Sequence, residues 1–327
     1  MGTKMSPNIA LVTTPTRLSG LLAKFGTKGS ARFRMQTARS NFLSTNRSAA
    51  AVVDANSDFD EYVNEDQQYE TAVKTIRADL EGLGYPVVVV PRNYISNFFF
   101  GMTEAVVVVG PDGLVANTAK YAGEIPIIGI NPMPDRFDGV LLPFDIDQAR
   151  RVVRQTLSGK ANVREVTLAG VSLSDGQSML AFNDFFVGRS SHVSSRYVLY
   201  SDGKSETHSS SGVIISTGAG STGWLSSVYH MTRGVGRRMG VPFDSPPQIP
   251  WNTDALCWVV REPFLSCDSQ VDLVTGEIRT DKPLRLESLM PEGGVIFSDG
   301  IESDFLTFNS GTIAEFRIAE TQSRLVT

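Results

Sequence analysis

Residues 105–109, Ala-Val-Val-Val-Val, are apolar at every position and run straight into Gly110-Pro111-Asp112-Gly113. A strand with one wet face alternates apolar and polar residues. A run with no polar position is buried on both sides, which demands a layer of structure above and below it. Gly110 and Gly113 let the chain turn sharply, and a helix is expected after Gly113 to about Tyr121. The flanking sequence repeats this rhythm. Residues 8–14 read as a strand. Tyr69, Val73, Ile76, Leu80 and Leu83 recur at helical spacing, with Gly84 as the stop. Residues 87–90 read as a short buried strand and 126–130 as another. Asp145 is placed to cap a helix carrying Ile146, Ala149, Val153 and Leu157, ended by Gly159. Residues 26–60, polar and rich in Gly and Ser, show no period and read as irregular.

The pattern changes near residue 160. Asp175-Gly176, Asp202-Gly203 and Asp299-Gly300 each lie between strand-like runs, as hairpin turns do. One helical stretch, about 221–239, interrupts them. The expected fold class is α/β plus all-β. A doubly wound parallel-sheet domain covers residues 1–145, a linking helix 146–159, and an antiparallel β domain 160–327, whose last segment is free to return to the first domain.

Composition narrows the function. The chain has 327 residues, of which 41% are hydrophobic, enough for two cores. No uninterrupted apolar stretch approaches the roughly 18 residues of a membrane span. Cys257 and Cys267 form no metal-ligand or disulfide pattern and read as small apolar residues in or beside strands, as suits a reducing cytosol. His192, His208 and His230 share no ligand spacing and read as surface or structural. Eight of the 30 basic residues (Lys4, Arg17, Lys24, Lys28, Arg32, Arg34, Arg39 and Arg47) fall within residues 1–53, which hold no acid. Such a segment is a solvated surface loop, a basic arm for an anionic ligand or partner subunit, or a transit peptide. Aromatic and basic residues are not interleaved as nucleic-acid binding requires.

Two loops carry chemistry. Segment 110–113 joins a buried strand to a helix, where backbone N–H groups and the helix dipole hold phosphate, and it places the carboxylate of Asp112 beside that position. It lacks the Gly-Lys-Ser/Thr of a Walker loop. Segment 217–224, Thr-Gly-Ala-Gly-Ser-Thr-Gly-Trp, follows the apolar run 213–215 and offers N–H groups and the hydroxyls of Thr217, Ser221 and Thr222 to an anion or a ribose. Asn183-Asp184 interrupts an otherwise apolar run, where unpaired polar groups are costly. The pair is either bonded to backbone at a strand edge or bulge, or reads a base and ribose.

These segments, in this order, resemble the NAD kinase (ATP–NAD kinase) family, which has Gly-Gly-Asp-Gly, then Asn-Glu, then a Thr-x-x-Gly-Ser-x-Ala-aromatic loop. Gly129-Ile130-Asn131-Pro132, Pro134-Asp135-Arg136, Leu142-Pro143, Ser211-Gly212, Arg261-Glu262-Pro263 and Phe308-Asn309-Ser310-Gly311 are similar to the mitochondrial-type branch. The resemblance spans about residues 8–320. It implies a homodimer with its site in an interdomain cleft, where ATP, with Mg²⁺, phosphorylates the adenosine-ribose 2′-hydroxyl of NAD to give NADP; the cytoplasmic location expected for it comes from the cysteine usage. Asp112 would be the catalytic acid/base. Gly110, Gly113 and Asn117 would line the phosphates. Asn183, Asp184, Thr217, Ser221, Thr222, Gly223, Trp224 and Ser227 would form the NAD pocket, and no protein side chain would ligate the metal directly. Three positions depart from the family: Pro111 for a glycine, Leu114 for a threonine and Asp184 for a glutamate. The first two remove an N–H and a hydroxyl from the phosphate cradle, at about 1–3 kcal/mol for each charge-assisted bond. Pro111 and Leu114 raise one alternative, an NAD(P)-binding regulator of the same fold; a second, a kinase of a lipid or sugar hydroxyl, comes from the family's lipid-kinase relatives, which share the Gly-Gly-Asp-Gly loop.

Overall fold

The computed structural model describes residues 7–45, 55–136, 139–241 and 248–327, with backbone alone for 38–45 and 55–58. The chain divides into two compact units. Unit 1 comprises residues 1–118, 126–162 and 326–327; unit 2 comprises 119–125 and 163–325.

Unit 1 is built on parallel strands. In chain order it contains β1 (Asn8–Thr13), α1 (Arg17–Phe25), α2 (Lys28–Thr45), α3 (Ala55–Glu81), β2 (Val87–Pro91), β3 (Thr103–Val109), α4 (Asp112–Ala122) as far as Thr118, β4 (Pro126–Asn131), β5 (Phe144–Asp145) and α5 (Ala149–Leu157). The strands lie in the order β2-β1-β3-β4-β5, each adjacent pair parallel. Val106 to Val109 are fully buried, as their unbroken apolarity requires. β2 corrects the expectation of a buried strand. It lies at the sheet edge, Val88 and Val89 are each 37% exposed, and Pro91 ends it where no ladder N–H is needed.

Residues 26–60 are also corrected. α2 and the start of α3 occupy most of this stretch, residues 46–54 lying outside the described residues. Ala31 and Phe59 pack with Leu18 of α1 in a core flanked by Leu21, Leu22, Phe25, Met35, Tyr62 and Val63. The acid-free segment draws its counter-charge from α3. Arg17 pairs with Glu65 at 2.6 Å and Glu61 at 2.8 Å, and Arg32 with Asp60 at 2.6 Å. Lys4, Arg47 and the side chain of Arg39 lie outside the described residues.

Unit 2 is a β-sandwich. It contains β6 (Val163–Leu173), β7 (Ser178–Ala181), β8 (Asp184–Arg189), β9 (Ser195–Ser201), β10 (Lys204–Ser210), β11 (Val213–Ser216), α6 (Trp224–Arg238), β12 (Leu256–Val260), β13 (Thr275–Ile278), β14 (Leu284–Ser288), β15 (Gly294–Ser298), β16 (Phe305–Thr307) and β17 (Ile313–Val326). One sheet has the fully antiparallel order β13-β12-β11-β8-β15-β16. In the other, the order is β7-β6-β17-β14-β9-β10. Alternate residues of both sheets, among them Phe185, Val187, Trp258, Leu286 and Phe316, share one core. The Asp-Gly turns at 175, 202 and 299 join β6 to β7, β9 to β10 and β15 to β16, each pair antiparallel. His208 is buried against Tyr197, while His192 and His230 are exposed. Cys257 lies in β12, and Cys267 is exposed in an irregular segment whose Phe264 and Gln270 N–H groups donate to Ser209 O and Thr207 O of β10. No helix among the described residues is long and apolar enough to cross a membrane.

Candidate functional site

In unit 1 the local sequence builds a rigid strand-to-helix corner. The Tyr69 hydroxyl donates to Val109 O at 2.8 Å and accepts the Thr14 N–H at 2.8 Å, tying the ends of β3 and β1 together directly before Gly110. Burial pushes this phenol up to about 12, so it stays a neutral donor. Gly110 has φ 155°, and a Cβ there would lie 2.9 Å from Leu114 Cδ2. α4 begins at Asp112, slightly earlier than expected, so the acid sits in the first turn, where the dipole favours a negative charge.

The side chain of Asp112 is held from outside its own element. Its Oδ1 accepts the Leu141 N–H at 2.6 Å. Leu141 can come this close because Gly129 in β4 has no Cβ to collide with the Leu141 carbonyl. Asn117 is buried further along α4, and Gly113 is exposed with nothing within 4 Å of where a Cβ would be. Leu114 is buried, and its N–H donates to Pro111 O at 2.8 Å.

In unit 2 the fold brings the Asn183-Asp184 pair and the 217–224 loop together. Asp184 pairs with Ser216 across β8 and β11. Asn183 O accepts the Thr217 N–H at 2.9 Å, and a Cβ on Gly220 would collide with the same carbonyl. The loop is not an open cradle but a tight 3₁₀ turn over Ala219–Thr222 leading into α6. This corrects the role expected for two hydroxyls. Thr217 is fully buried; its Oγ1 donates to Phe182 O at 2.6 Å and accepts the Gly220 N–H at 3.1 Å. Ser221 donates to Gly218 O at 2.7 Å. Thr222, Gly223 and Ser227 are exposed. Trp224 stacks on Phe186 with centroids 5.6 Å apart and planes 10° from parallel.

Sequence reasoning missed two charged residues here, Lys120 and Asp299. Asp299 forms its hairpin turn with φ 55°, but its carboxylate also turns inward. It accepts the N–H groups of Phe182 at 3.2 Å, Asn183 at 2.6 Å and Asp184 at 3.4 Å. Lys120 Nζ lies 3.6 Å from its Oδ2 and donates to Ser298 Oγ at 2.8 Å, with both charged side chains at most 2% exposed. Burial raises the pKa of Asp299, while Lys120 and the three N–H groups oppose that rise. Burial, reinforced by the charge of Asp299, raises Asp184 to about 7. The pair Asn183-Asp184 is therefore clamped through its backbone, leaving a carboxyl that exchanges a proton near neutrality. Nothing in the sequence separates Asp299-Gly300 from the other Asp-Gly turns, because the groups it clamps lie more than a hundred residues away.

No family model matches the sequence, and no curated protein matches it. Solved structures do. An NAD kinase from Archaeoglobus fulgidus in complex with ATP aligns with a TM-score of 0.55 at 19% identity, covering 78% of this chain and 89% of that one. Yeast NADH kinase complexed with NADH aligns with a TM-score of 0.57 at 16% identity, covering 99% of this chain and 84% of that one. At these identities the likeness is one of fold, and the chain has the fold of these NAD and NADH kinases.

Proposed function

We propose that the chain is an NAD kinase, moving the terminal phosphoryl group of ATP to the adenosine-ribose 2′-hydroxyl of NAD. The observation that carries the reading is Asp112, a carboxylate in the first turn of α4 fixed by the Leu141 N–H at 2.6 Å, in a chain with the fold of NAD and NADH kinases. Phosphoryl transfer needs positioning and charge neutralisation, with one group to align the nucleophile. Asp112 would orient the 2′-hydroxyl and take its proton as the phosphorus–oxygen bond forms. Apart from the Leu114 N–H, which Pro111 O takes, the first turn of α4 supplies N–H groups and a positive dipole end for the phosphates. Asp184 would bond the ribose hydroxyls and Asn183 the base. A magnesium ion would arrive on the phosphate oxygens of ATP.

A second reading, an NAD(P)-binding regulator of the same fold, is favoured by the cradle itself. Pro111 has no N–H, the Leu114 N–H is spent on Pro111 O, and Leu114 packs its side chain close to Gly110. One assay separates the two. NADP formation from ATP, Mg²⁺ and NAD is expected in the wild type and should fall by about 10²-fold or more in Asp112→Asn, with NAD still bound. A wild type that binds NAD but makes no NADP with any phosphoryl donor, together with activity appearing in the Pro111→Gly/Leu114→Thr double variant, establishes the regulator instead.

A further inference from the structure

Unit 2 holds a cavity of about 610 Å³, a size that accommodates small ligands, and none of its lining residues is among those assigned to ATP or NAD. Arg164 and Glu165 at the start of β6, Trp251 and Asn252 in the segment before β12, and Arg324 near the end of β17 line it. β6 and β17 are neighbours in one sheet. The Trp251 wall is fixed from behind. Trp251 O accepts the Thr167 N–H at 2.8 Å, Thr167 Oγ1 donates to Thr253 O at 2.7 Å, and Pro250 O fills the space that a Cβ on Gly218 would need.

The fold leaves the charge of both arginines uncompensated. Among the described residues neither has a carboxylate within ion-pair distance. Arg164 lies over the Trp251 ring at 4.9 Å, and an indole face holds a cation without satisfying its N–H donors as an anion does. Arg324 Nε is shut off from solvent and has no hydrogen-bond partner among the described residues, a costly state for a charged donor. Glu165 brings the lining's one carboxylate, so the two guanidinium groups leave it with a net positive charge. Planar forks bond phosphate oxygens in pairs, while a carboxylate and an amide suit hydroxyl groups.

We propose that this cavity binds the phosphate monoester of a small hydroxylated molecule, a sugar phosphate in chemical class, with Arg164 and Arg324 on the phosphate and Glu165 and Asn252 on the hydroxyls. It is a second ligand site, and it stands whether or not the chain is a kinase.

Ribose 5-phosphate and unphosphorylated ribose, titrated into the full chain by calorimetry and by tryptophan fluorescence, test it. The salt is held at about 0.15 M, where charges more than about 8 Å apart are largely screened. Ribose 5-phosphate should change the emission saturably as its phosphate draws the Arg164 cation from the Trp251 ring, and Trp251→Phe should remove that change. Ribose should bind at least about tenfold more weakly. Arg164→Met and Arg324→Met, with thermal melts to verify folding, should each lose about tenfold or more in affinity for ribose 5-phosphate, and Arg164→Lys and Arg324→Lys should recover part of it. Arg317→Met, which removes the same charge from a residue already paired with Glu315, should stay within about twofold of the wild type. A wild type that does not bind ribose 5-phosphate, ribose that binds as tightly, an emission change that survives Trp251→Phe, or an equal loss in Arg317→Met each overturns the inference.

Discussion

Asp184→Asn should make the protein more stable as the pH rises, while removing ribose binding. The Asp184 carboxyl is buried beside Asp299, and its pKa moves from 3.8 to about 7. A group whose folded pKa is raised in this way holds its proton in the native state after the unfolded chain has lost it. The native state then binds more protons, so stability falls as pH climbs from about 4 to about 7. Folding thus tightens proton binding roughly a thousandfold, and about 1.4 kcal/mol for each factor of ten sets the scale at about 4 kcal/mol. Asparagine has nearly the same shape and no charge to desolvate. The variant should match the wild type to within about 1 kcal/mol at pH 4 and exceed it by about 4 kcal/mol at pH 8. Urea denaturation at both pH values, with the m-value as a check on the unfolded state, measures this directly. A gain of equal size at pH 4 and pH 8, or no gain at pH 8, refutes the reasoning that burial and the Asp299 charge strain this carboxyl.

Two further outcomes follow from the clamp on Asn183-Asp184. Lys120→Met leaves the buried carboxylate of Asp299 without this cation and should cost about 3–5 kcal/mol at neutral pH. The cost should shrink in acid, where Asp299 accepts a proton; an undiminished cost at pH 4 argues for lost packing instead. Gly220→Ala drives a methyl into Asn183 O and should lower the melting temperature by several degrees and weaken NAD binding; wild-type values for both would show that the turn yields easily.

Much of this architecture was legible locally. The fully apolar run 105–109 predicted β3 and its layers, because a strand with no polar position has no side to give to water. The three Asp-Gly hairpins followed from turn chemistry, which is settled within four residues. The helices of residues 26–60 were not legible, since Ala31 and Phe59 find their apolar partners on α1 and Arg32 pairs with Asp60 across the helices, contacts that no local pattern announces. The Thr217 and Ser221 hydroxyls looked free for a ligand, because a sequence shows which groups a loop owns but not where its backbone carbonyls will lie.

The sequence by itself determined the change from parallel α/β to antiparallel β and the strand–Gly-Pro-Asp-Gly–helix corner. These rest on periodicity and on turn residues, which act over a few residues. Only the tertiary structure decided what holds the polar groups. Asp112 takes its N–H from a residue 29 positions away, Asn183 is clamped by Asp299 across 116 positions, and Lys120 reaches Ser298 across 178. Buried polar groups must be satisfied by whichever partners folding brings within about 3 Å, and no local pattern names those partners.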